Sequence, residues 1–478
     1  MEQRALRYEH LADELAGMIT ERVLRPGDRL PSVRQLAQEK RLSVSTVVQA
    51  LRQLEERGMV DARPQSGFFV RLPPLARNPP LAPKTIQRLA RPVAVDISSR
   101  LMDVLALNHR PELVPMGAAL PASELFPVAH LQRLYGVVAR QSGALLGSAS
   151  HTAISHPELV RQFVRHSLAW GGPLAAEEII VTNSCTEAMS LCLRAVTRPG
   201  DTVAVESPSY YVMLQLLENL GLKALEIPTH PQRGMSVDAL EIATRERRVA
   251  ACLLVSNFNN PLGSVIPDGE KKRLAALTAE RQIPVIEDDI FGDLHFGPDR
   301  PWPVKAFDTA GNVMLCSSIS KTVSPSLRIG YVAAGRHHAA VMLQKMLNSG
   351  ATNPVTQEVV ARYLASTAYA RNVRARRRAC ENQVMCMSEA VQRHFPEGTR
   401  LSQPQGGVLL WVELPGGVDS TRLYEQALSA GIAFVPGDLF SPSGRFRDCL
   451  RLSCGHPWSP RFDDAIERLG RMAGALLP

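Results

Sequence analysis

Apolar positions in the first seventy residues recur with helical spacing. Leu11, Leu15, Ile19 and Val23 fall every four residues and so share one face of a helix. The Pro-Gly pair within Arg25-Pro-Gly-Asp28 ends it. A second, shorter helix is predicted to begin near Pro31-Ser32, both favourable at a helix start, turning Val33, Leu36 and Ala37 inward. A third spans about Ser45 to Arg57, with Val47, Leu51 and Leu54 on one stripe and Gly58 closing it. Met59 to Val70 then reads as two short strands around a Pro-Gln-Ser-Gly turn. From about Pro173 the pattern changes. Apolar runs over 178–182, 202–205, 251–255, 283–287 and 312–316 are separated by helical stretches, which predicts a mainly parallel α/β sheet.

Three helices and a hairpin in that order predict a winged helix-turn-helix whose third helix is the groove reader. Between the two patterns, Leu72 to Val95 holds six prolines and four Lys/Arg with no acid. That composition predicts an extended spacer, with a basic tether on DNA backbone as the alternative. A chain of 478 residues exceeds one ordinary core. The expected organisation is a head over 1–72, a linker over 73–95 and a large unit over 96–478, with a smaller α+β subdomain from about 380.

Composition narrows the class. An apolar fraction of 45% and a charged fraction of 21% are those of a globular protein. The net charge of +8 is mild for this length, and residues 1–72 hold twelve Lys/Arg against ten Asp/Glu. DNA affinity would therefore draw on two half-sites presented by a dimer rather than on bulk charge. The start MEQRALRYEH has no apolar core of a signal peptide. No run reaches the roughly 18–20 apolar residues that cross a bilayer, so a cytoplasmic location without a membrane partner is expected. Eight cysteines form no C-x-x-C pair, which predicts buried reduced thiols and no metal site.

The segment YEHLADELAGMITERVLRPGDRLPSVRQLAQEKRLSVSTVVQALRQLEERGMV resembles the DNA-binding domain of GntR-type bacterial repressors, including the PGDRLPSVRQLA signature. The resemblance implies double-stranded DNA as partner. Arg34 would reach phosphate or a base edge, Ser45, Thr46 and Gln49 would line the recognition helix, and Gln65, Ser66 and Gly67 would form the wing tip. Many relatives carry arginine or another polar residue where this chain has Val44, and losing a guanidinium there removes a bidentate guanine contact.

In parallel α/β sheets, ligands bind beyond the carboxyl ends of the strands. The polar clusters after the apolar runs are therefore the candidate site. Thr182 to Met189 is rich in small residues opening a helix, which suits an anion. Glu206 to Tyr211 presents an aromatic, Ser256 to Gly263 amides, and Glu287 to Asp289 three acids. Ser317-Ser-Ile-Ser-Lys321 sets a lysine among serines, with Arg328 seven residues on. Pyridoxal 5′-phosphate requires such a set: a lysine for its aldehyde, an acid for its ring nitrogen, and donors with an arginine for its phosphate. Ser318-x-x-Lys321 also fits the penicillin-binding S-x-x-K pattern, but its companions S-D-N and K-T-G do not occur.

From about Val114 to the C-terminus this constellation resembles the fold-type I aminotransferases. The resemblance implies that Lys321 is the Schiff-base lysine, with Ser318, Ser320 and Arg328 on the phosphate beside Cys185 and Thr186 at the helix cap. Tyr210 would stack on the cofactor ring and Asn260 would bond its oxygen. Asp288 would pair with the pyridine nitrogen, Asp289 being the alternative. Cys449-Leu-Arg-Leu-Ser-Cys-Gly455 would bring Arg451 to a substrate carboxylate, with Gln405 to Val412 as the small-domain strand.

Two departures bear on activity. Relatives place a tyrosine two or three residues after the aspartate, where this chain has Ile290 and Phe291. The turn before His156-Pro-Glu commonly carries a tyrosine and a glycine that reach the phosphate across a dimer; here Ser150, His151 and Ser155 stand there. Both weigh against efficient transamination, and neither touches Lys321. Residues 369–378 carry five arginines, read as a solvated helix face or a contact with DNA flanking the operator. A GntR-type head on an aminotransferase-like unit resembles the MocR-type regulators. That implies a homodimeric transcription factor sensing an amine, an amino acid or a vitamin B6 vitamer through Lys321. The alternative is a working aminotransferase carrying a DNA-binding domain, with Lys321 as the proton shuttle.

Overall fold

The computed structural model describes the whole chain except residues 1, 21–23, 25–27, 57–58, 64–66, 71–79, 86–90, 108–109, 111, 142, 144–153, 173 and 247. Residues 1–79 form one compact unit and residues 80–478 another. In the first, helices Glu2–Thr20, Val33–Glu39 and Val44–Glu56 precede an antiparallel hairpin of β1 (Val60–Arg63) and β2 (Gly67–Val70). Leu11, Leu15 and Ile19 bury against Leu36, Val47, Leu51 and Leu54 and against Val60 and Val70 of the hairpin. Val23 lies outside the described residues. Ser32 caps the second helix by accepting the Gln35 N–H at 3.2 Å, and Arg41 turns the chain into the third helix with a left-handed φ of 53°.

The second unit is built on a mixed sheet. In chain order its strands are β3 (Val93–Ala94), β5 (Ile179–Thr182), β6 (Thr202–Ser207), β7 (Lys223–His230), β8 (Gly234–Met235), β9 (Ala251–Leu254), β10 (Val285–Asp288), β11 (Val313–Ser318) and β12 (Gly330–Ala333). Their order across the sheet is β3-β7-β6-β9-β10-β11-β12-β5, with β8 paired to β7 alone. From β7 to β11 the strands are parallel; β12 runs antiparallel to both β11 and β5. Helix Cys185–Val196 covers one face through Ala188, Met189 and Cys192, whereas Leu240 and Leu274 of helices Val237–Glu246 and Asp268–Glu280 pack on the other.

All five predicted strands are present. Two of the sheet's longer strands escaped the apolar pattern. In β7 the run is broken by Pro228 and by Glu226, a buried carboxylate that accepts from Ser207 Oγ at 2.9 Å and Ser441 Oγ at 2.8 Å. In β12, Gly330 admits a close approach to the start of helix Cys185–Val196: a Cβ there would lie 2.5 Å from the Ser184 carbonyl carbon.

A second, smaller sheet holds β13 (Arg400–Leu401), β14 (Leu409–Glu413), β16 (Val435–Pro436) and β17 (Cys449–Ser453), antiparallel in the order β13-β14-β17-β16. Beside it, β15 (Ile432–Ala433) pairs in parallel with β4 (Val114–Pro115). Helix Thr367–His394 packs on helix Pro460–Ala475 behind this sheet. The stretch expected as a spacer over 73–95 is folded in part. Leu401 N–H donates to Leu81 O at 2.8 Å, Lys84 N–H donates to the Glu413 carboxylate at 2.7 Å, and Val93–Ala94 edges the large sheet as β3. Prolines are tolerated along a sheet edge, where no N–H is demanded of them. All eight cysteines are free and buried. Among the described residues, no helix is long and apolar enough to cross a membrane and no metal-binding cluster occurs.

Candidate functional site

The carboxyl ends of β5, β6, β9, β10 and β11 converge. Asp288 closes β10 and is buried; Cys185, the first residue of its helix, donates from Sγ to Asp288 Oδ1 at 3.3 Å, and Ile290 N–H donates to the same oxygen at 3.0 Å. Burial pushes the Asp288 carboxyl up to about 6, against the pull of those two donors and of Lys321. Burial and the neighbouring Asp288 raise the Cys185 thiol well above its usual range, so it stays a protonated donor. Asp289 is engaged elsewhere: it forms an ion pair with Arg300 and accepts from Asn257 Nδ2 at 3.0 Å.

Lys321 follows β11 and is half-buried. Its Nζ donates to Ala119 O at 2.5 Å and lies 5.4 Å from the centre of the Phe291 ring. Burial lowers its pKa to about 8; Asp288 opposes that shift and Arg451 reinforces it. Ser318 and Ser320 are buried beside it, with Ser320 N–H donating to Ser318 Oγ at 3.2 Å. Thr186 is exposed on the first turn of helix Cys185–Val196. Arg328 is exposed too, held in the left-handed region with φ 53°. Tyr210 is half-buried with its ring 4.8 Å from that of Tyr211, and burial raises its hydroxyl pKa.

Arg451 sits on β17 and is fully buried. Its Nη1 donates to Asn260 Oδ1 at 3.1 Å and its Nη2 to Gly117 O, with Tyr211 Oη 3.5 Å away. The guanidinium stacks over Tyr211 and Phe440 at 5.3 and 5.4 Å. Its Nε has no partner, and among the described residues no carboxylate stands at ion-pair distance. A buried cation without an acid is costly, so the arrangement suits an anionic ligand group.

Sequence reasoning missed the supports. Arg376, expected on a solvated basic helix, is buried instead. It donates to Thr322 O and Leu125 O, reaches Lys321 O at 3.3 Å, and lies 4.7 Å over the Phe126 ring. Arg371, Arg374 and Arg378 of the same run are exposed. Buried Lys345 reaches both Glu187 oxygens at 3.2 Å, fastening helix His338–Asn348 to the first turn of helix Cys185–Val196. The 117–119 segment, whose carbonyls meet Arg451 and Lys321, carried no signal beyond its small residues.

In the first unit Arg34, Ser45 and Gln49 are exposed. Thr46 is buried, its hydroxyl 2.7 Å from Ser43 Oγ. Gly67 opens β2 with φ 95°; Gln65 and Ser66 lie outside the described residues, as do Ser150 and His151. Ser155 is turned to the sheet, where its Oγ accepts the Val181 N–H at 3.0 Å.

Comparison with known proteins matches both units. Residues 7–70 fit the family model for bacterial regulatory proteins of the gntR family, and residues 148–469 that for aminotransferase class I and II. The chain is similar to the HTH-type transcriptional regulator YjiR of Escherichia coli K12, at 37% identity over 97% of this chain and 98% of that one. It is also similar to 2-aminoadipate transaminase of Thermus thermophilus, at 29% identity over 80% and 95% of the two chains. Among solved structures, Pyrococcus horikoshii kynurenine aminotransferase aligns with a TM-score of 0.73 at 25% identity, covering 79% of this chain and 95% of that one. The α-aminoadipate aminotransferase LysN, also of Thermus thermophilus, gives 0.71 at 27% identity, over 79% and 94%.

Proposed function

This chain belongs to the GntR-type regulators joined to an aminotransferase class I and II domain, and from that membership we propose what its second unit senses. The head over 1–72 binds double-stranded operator DNA. The second unit holds pyridoxal 5′-phosphate at Lys321, and an amine, an amino acid or a B6 vitamer meeting that site changes operator affinity. The observation that carries this reading is Arg451, a buried guanidinium beside Asn260 with no acid at ion-pair distance among the described residues.

The donor set fits the cofactor. When bound, pyridoxal phosphate supplies an electrophilic carbon and an electron-withdrawing ring. Lys321, lowered to about 8, keeps a free-amine fraction near neutral pH that an exposed lysine lacks. Asp288, at about 6, is ionised above that pH and would hold the ring nitrogen's proton, with Cys185 steadying its Oδ1. Thr186, Ser318, Ser320 and Arg328, with the N–H groups of the helix that Cys185 opens, would take the phosphate. Tyr210 would lie on the ring and Asn260 on its oxygen, while Arg451 would take a ligand carboxylate.

Phe291 supports sensing over turnover, because the ring facing Lys321 offers no hydroxyl. A working aminotransferase is the second reading, favoured by the depressed lysine pKa and the likeness to transaminases. A homodimer in the cytoplasm fits both readings. Leu343, Met346 and Leu347 stand 54, 56 and 72% exposed along helix His338–Asn348, an apolar strip that a second copy would cover.

The test uses the purified full-length protein. Cofactor absorbance that survives dialysis and is lost in Lys321→Ala supports the site; a protein that ignores added pyridoxal phosphate refutes it. Incubation with amino donors and a keto acid, followed by product analysis, separates sensor from enzyme. Genomic selection with footprinting gives the operator, and specific binding untouched by Arg34→Ala would refute the assignment of the reader.

A further inference from the structure

We infer that Val44 reads the C5 methyl of a thymine in the major groove, which fixes one base of each operator half-site. The inference rests on the DNA-binding reading above and carries it to the chemistry of the bases.

Helix Val44–Glu56 has two sides. Thr46, Val47, Ala50, Leu51 and Leu54 are buried in the head. At 100° per residue, Val44, Ser45, Val48, Gln49 and Arg52 share the opposite arc. Val44 is 54% exposed, and among the described side chains of residues 1–79 no other large apolar one is exposed. An exposed isopropyl on the first turn adds no packing, and its β-branch lowers helix propensity, so nothing in the head's own stability accounts for it.

Polar rivals at the helix start are already engaged. Ser43 Oγ accepts the Thr46 N–H at 3.1 Å and lies 2.8 Å from Ser45 Oγ and 2.7 Å from Thr46 Oγ1. Glu55 near the helix end carries a charge that phosphates repel, and it accepts the Ala62 N–H at 3.4 Å. The first two turns are therefore the part suited to the groove, as in other helix-turn-helix readers. There, an apolar side chain gains only against the thymine methyl. The other base edges present donors and acceptors that valine would desolvate without pairing. Val48, half-buried one turn on, widens the apolar strip, and exposed Gln49 beside it has the donor and acceptor that suit adenine.

The test uses the full-length protein and an operator selected from genomic fragments. Each thymine is replaced singly by deoxyuridine, which removes the methyl and leaves every hydrogen-bonding edge unchanged. Binding is read by fluorescence anisotropy at one fixed salt concentration. One thymine in each half-site should cost about fourfold in affinity when its methyl is removed, the worth of one buried methyl group. Val44→Ala, at an exposed position that does not hold the fold, should bind both forms equally and keep the wild-type salt dependence. Val44→Arg should move the preference at that base to guanine. Wild-type protein indifferent to every replacement overturns the inference while DNA binding stands, as does a Val44→Ala protein that still prefers the methyl at the same base. A protein that selects no operator fails earlier and takes this inference with it.

Discussion

Replacing Arg451 by methionine should separate what the guanidinium does for the fold from what it does for a ligand. In the structure it is a fully buried cation held by Asn260 Oδ1 at 3.1 Å and Gly117 O, and stacked on Tyr211 and Phe440. Taking an ion out of water costs several kcal/mol. Two hydrogen bonds to a charged group return about 1.5–3 kcal/mol each, and each cation–π contact adds roughly 1–2. Methionine fills the volume and removes both the cost and the return. It also strands Asn260 Oδ1 and Gly117 O, at about 1–3 kcal/mol each. The desolvation cost only partly offsets those losses, so Arg451→Met should unfold with a free energy lower by a few kcal/mol.

No such offset protects ligand binding. A carboxylate held by two charge-assisted bonds forfeits about 3–6 kcal/mol, or roughly 10²- to 10⁴-fold in affinity. The assay is a double-mutant cycle. Wild type and Arg451→Met, both loaded with pyridoxal phosphate, are titrated with an α-amino acid and with the amine that lacks its carboxylate, following the cofactor's absorbance. A coupling of about 3 kcal/mol between the ligand carboxylate and Arg451 is expected. If both ligands weaken alike, Arg451 is a structural cation and the reasoning fails.

Lys321 predicts a rise of apoprotein stability with pH. Its folded pKa, lowered by burial to about 8, lies below the ordinary lysine value of 10.5, so the unfolded chain binds more protons across that window and stability climbs there. Denaturant titrations of Lys321→Met should lack the climb; an identical profile would sink the assignment. Glu206 has the opposite sign. Burial raises its carboxyl to about 8, so the unfolded chain ionises first and stability falls between the ordinary glutamate range and pH 8. Glu206→Gln, which can still accept the Val255 N–H, should flatten that fall and be the more stable protein above pH 8. Arg376→Ala leaves carbonyls of Lys321, Thr322 and Leu125 without a donor, for a loss on the order of 3 kcal/mol in chemical unfolding and faster escape of cofactor on dialysis. Arg376→Lys should recover part of both. Glu413 holds Lys84 by its N–H at 2.7 Å and its Nζ at 3.1 Å, so Glu413→Ala should speed tryptic cleavage after Lys84. An unchanged cleavage rate would show that Glu413 does not hold this stretch in place.

What the sequence disclosed followed from locality. The winged head was readable because each helix carries its own apolar stripe and its own stop, and the five predicted strands because each is a short apolar run closed by polar residues. Lys321 was readable because its serines and Arg328 are chain neighbours. Partners distant in the chain were not. Asp288 and Asp289 adjoin, yet Arg300 takes one and Cys185 meets the other, and no local pattern separates them. That Arg451 meets no acid among the described residues is a statement about every neighbour at once, which no motif contains.

The arginine run of 369–378 is the instructive case, because its signal was present but averaged away. At 100° per residue, Arg376 falls on the same face as Tyr369, Val373 and Cys380, all buried, whereas Arg371, Arg374 and Arg378 turn outward. Read by helical angle rather than by composition, one guanidinium in the run was bound to enter the protein. Having entered, it found the carbonyls of Lys321 and Thr322. The same helix runs on to His394 and packs behind the smaller sheet against helix Pro460–Ala475. Arg376 thereby ties the backbone that carries Lys321 to the helix that packs behind the smaller sheet.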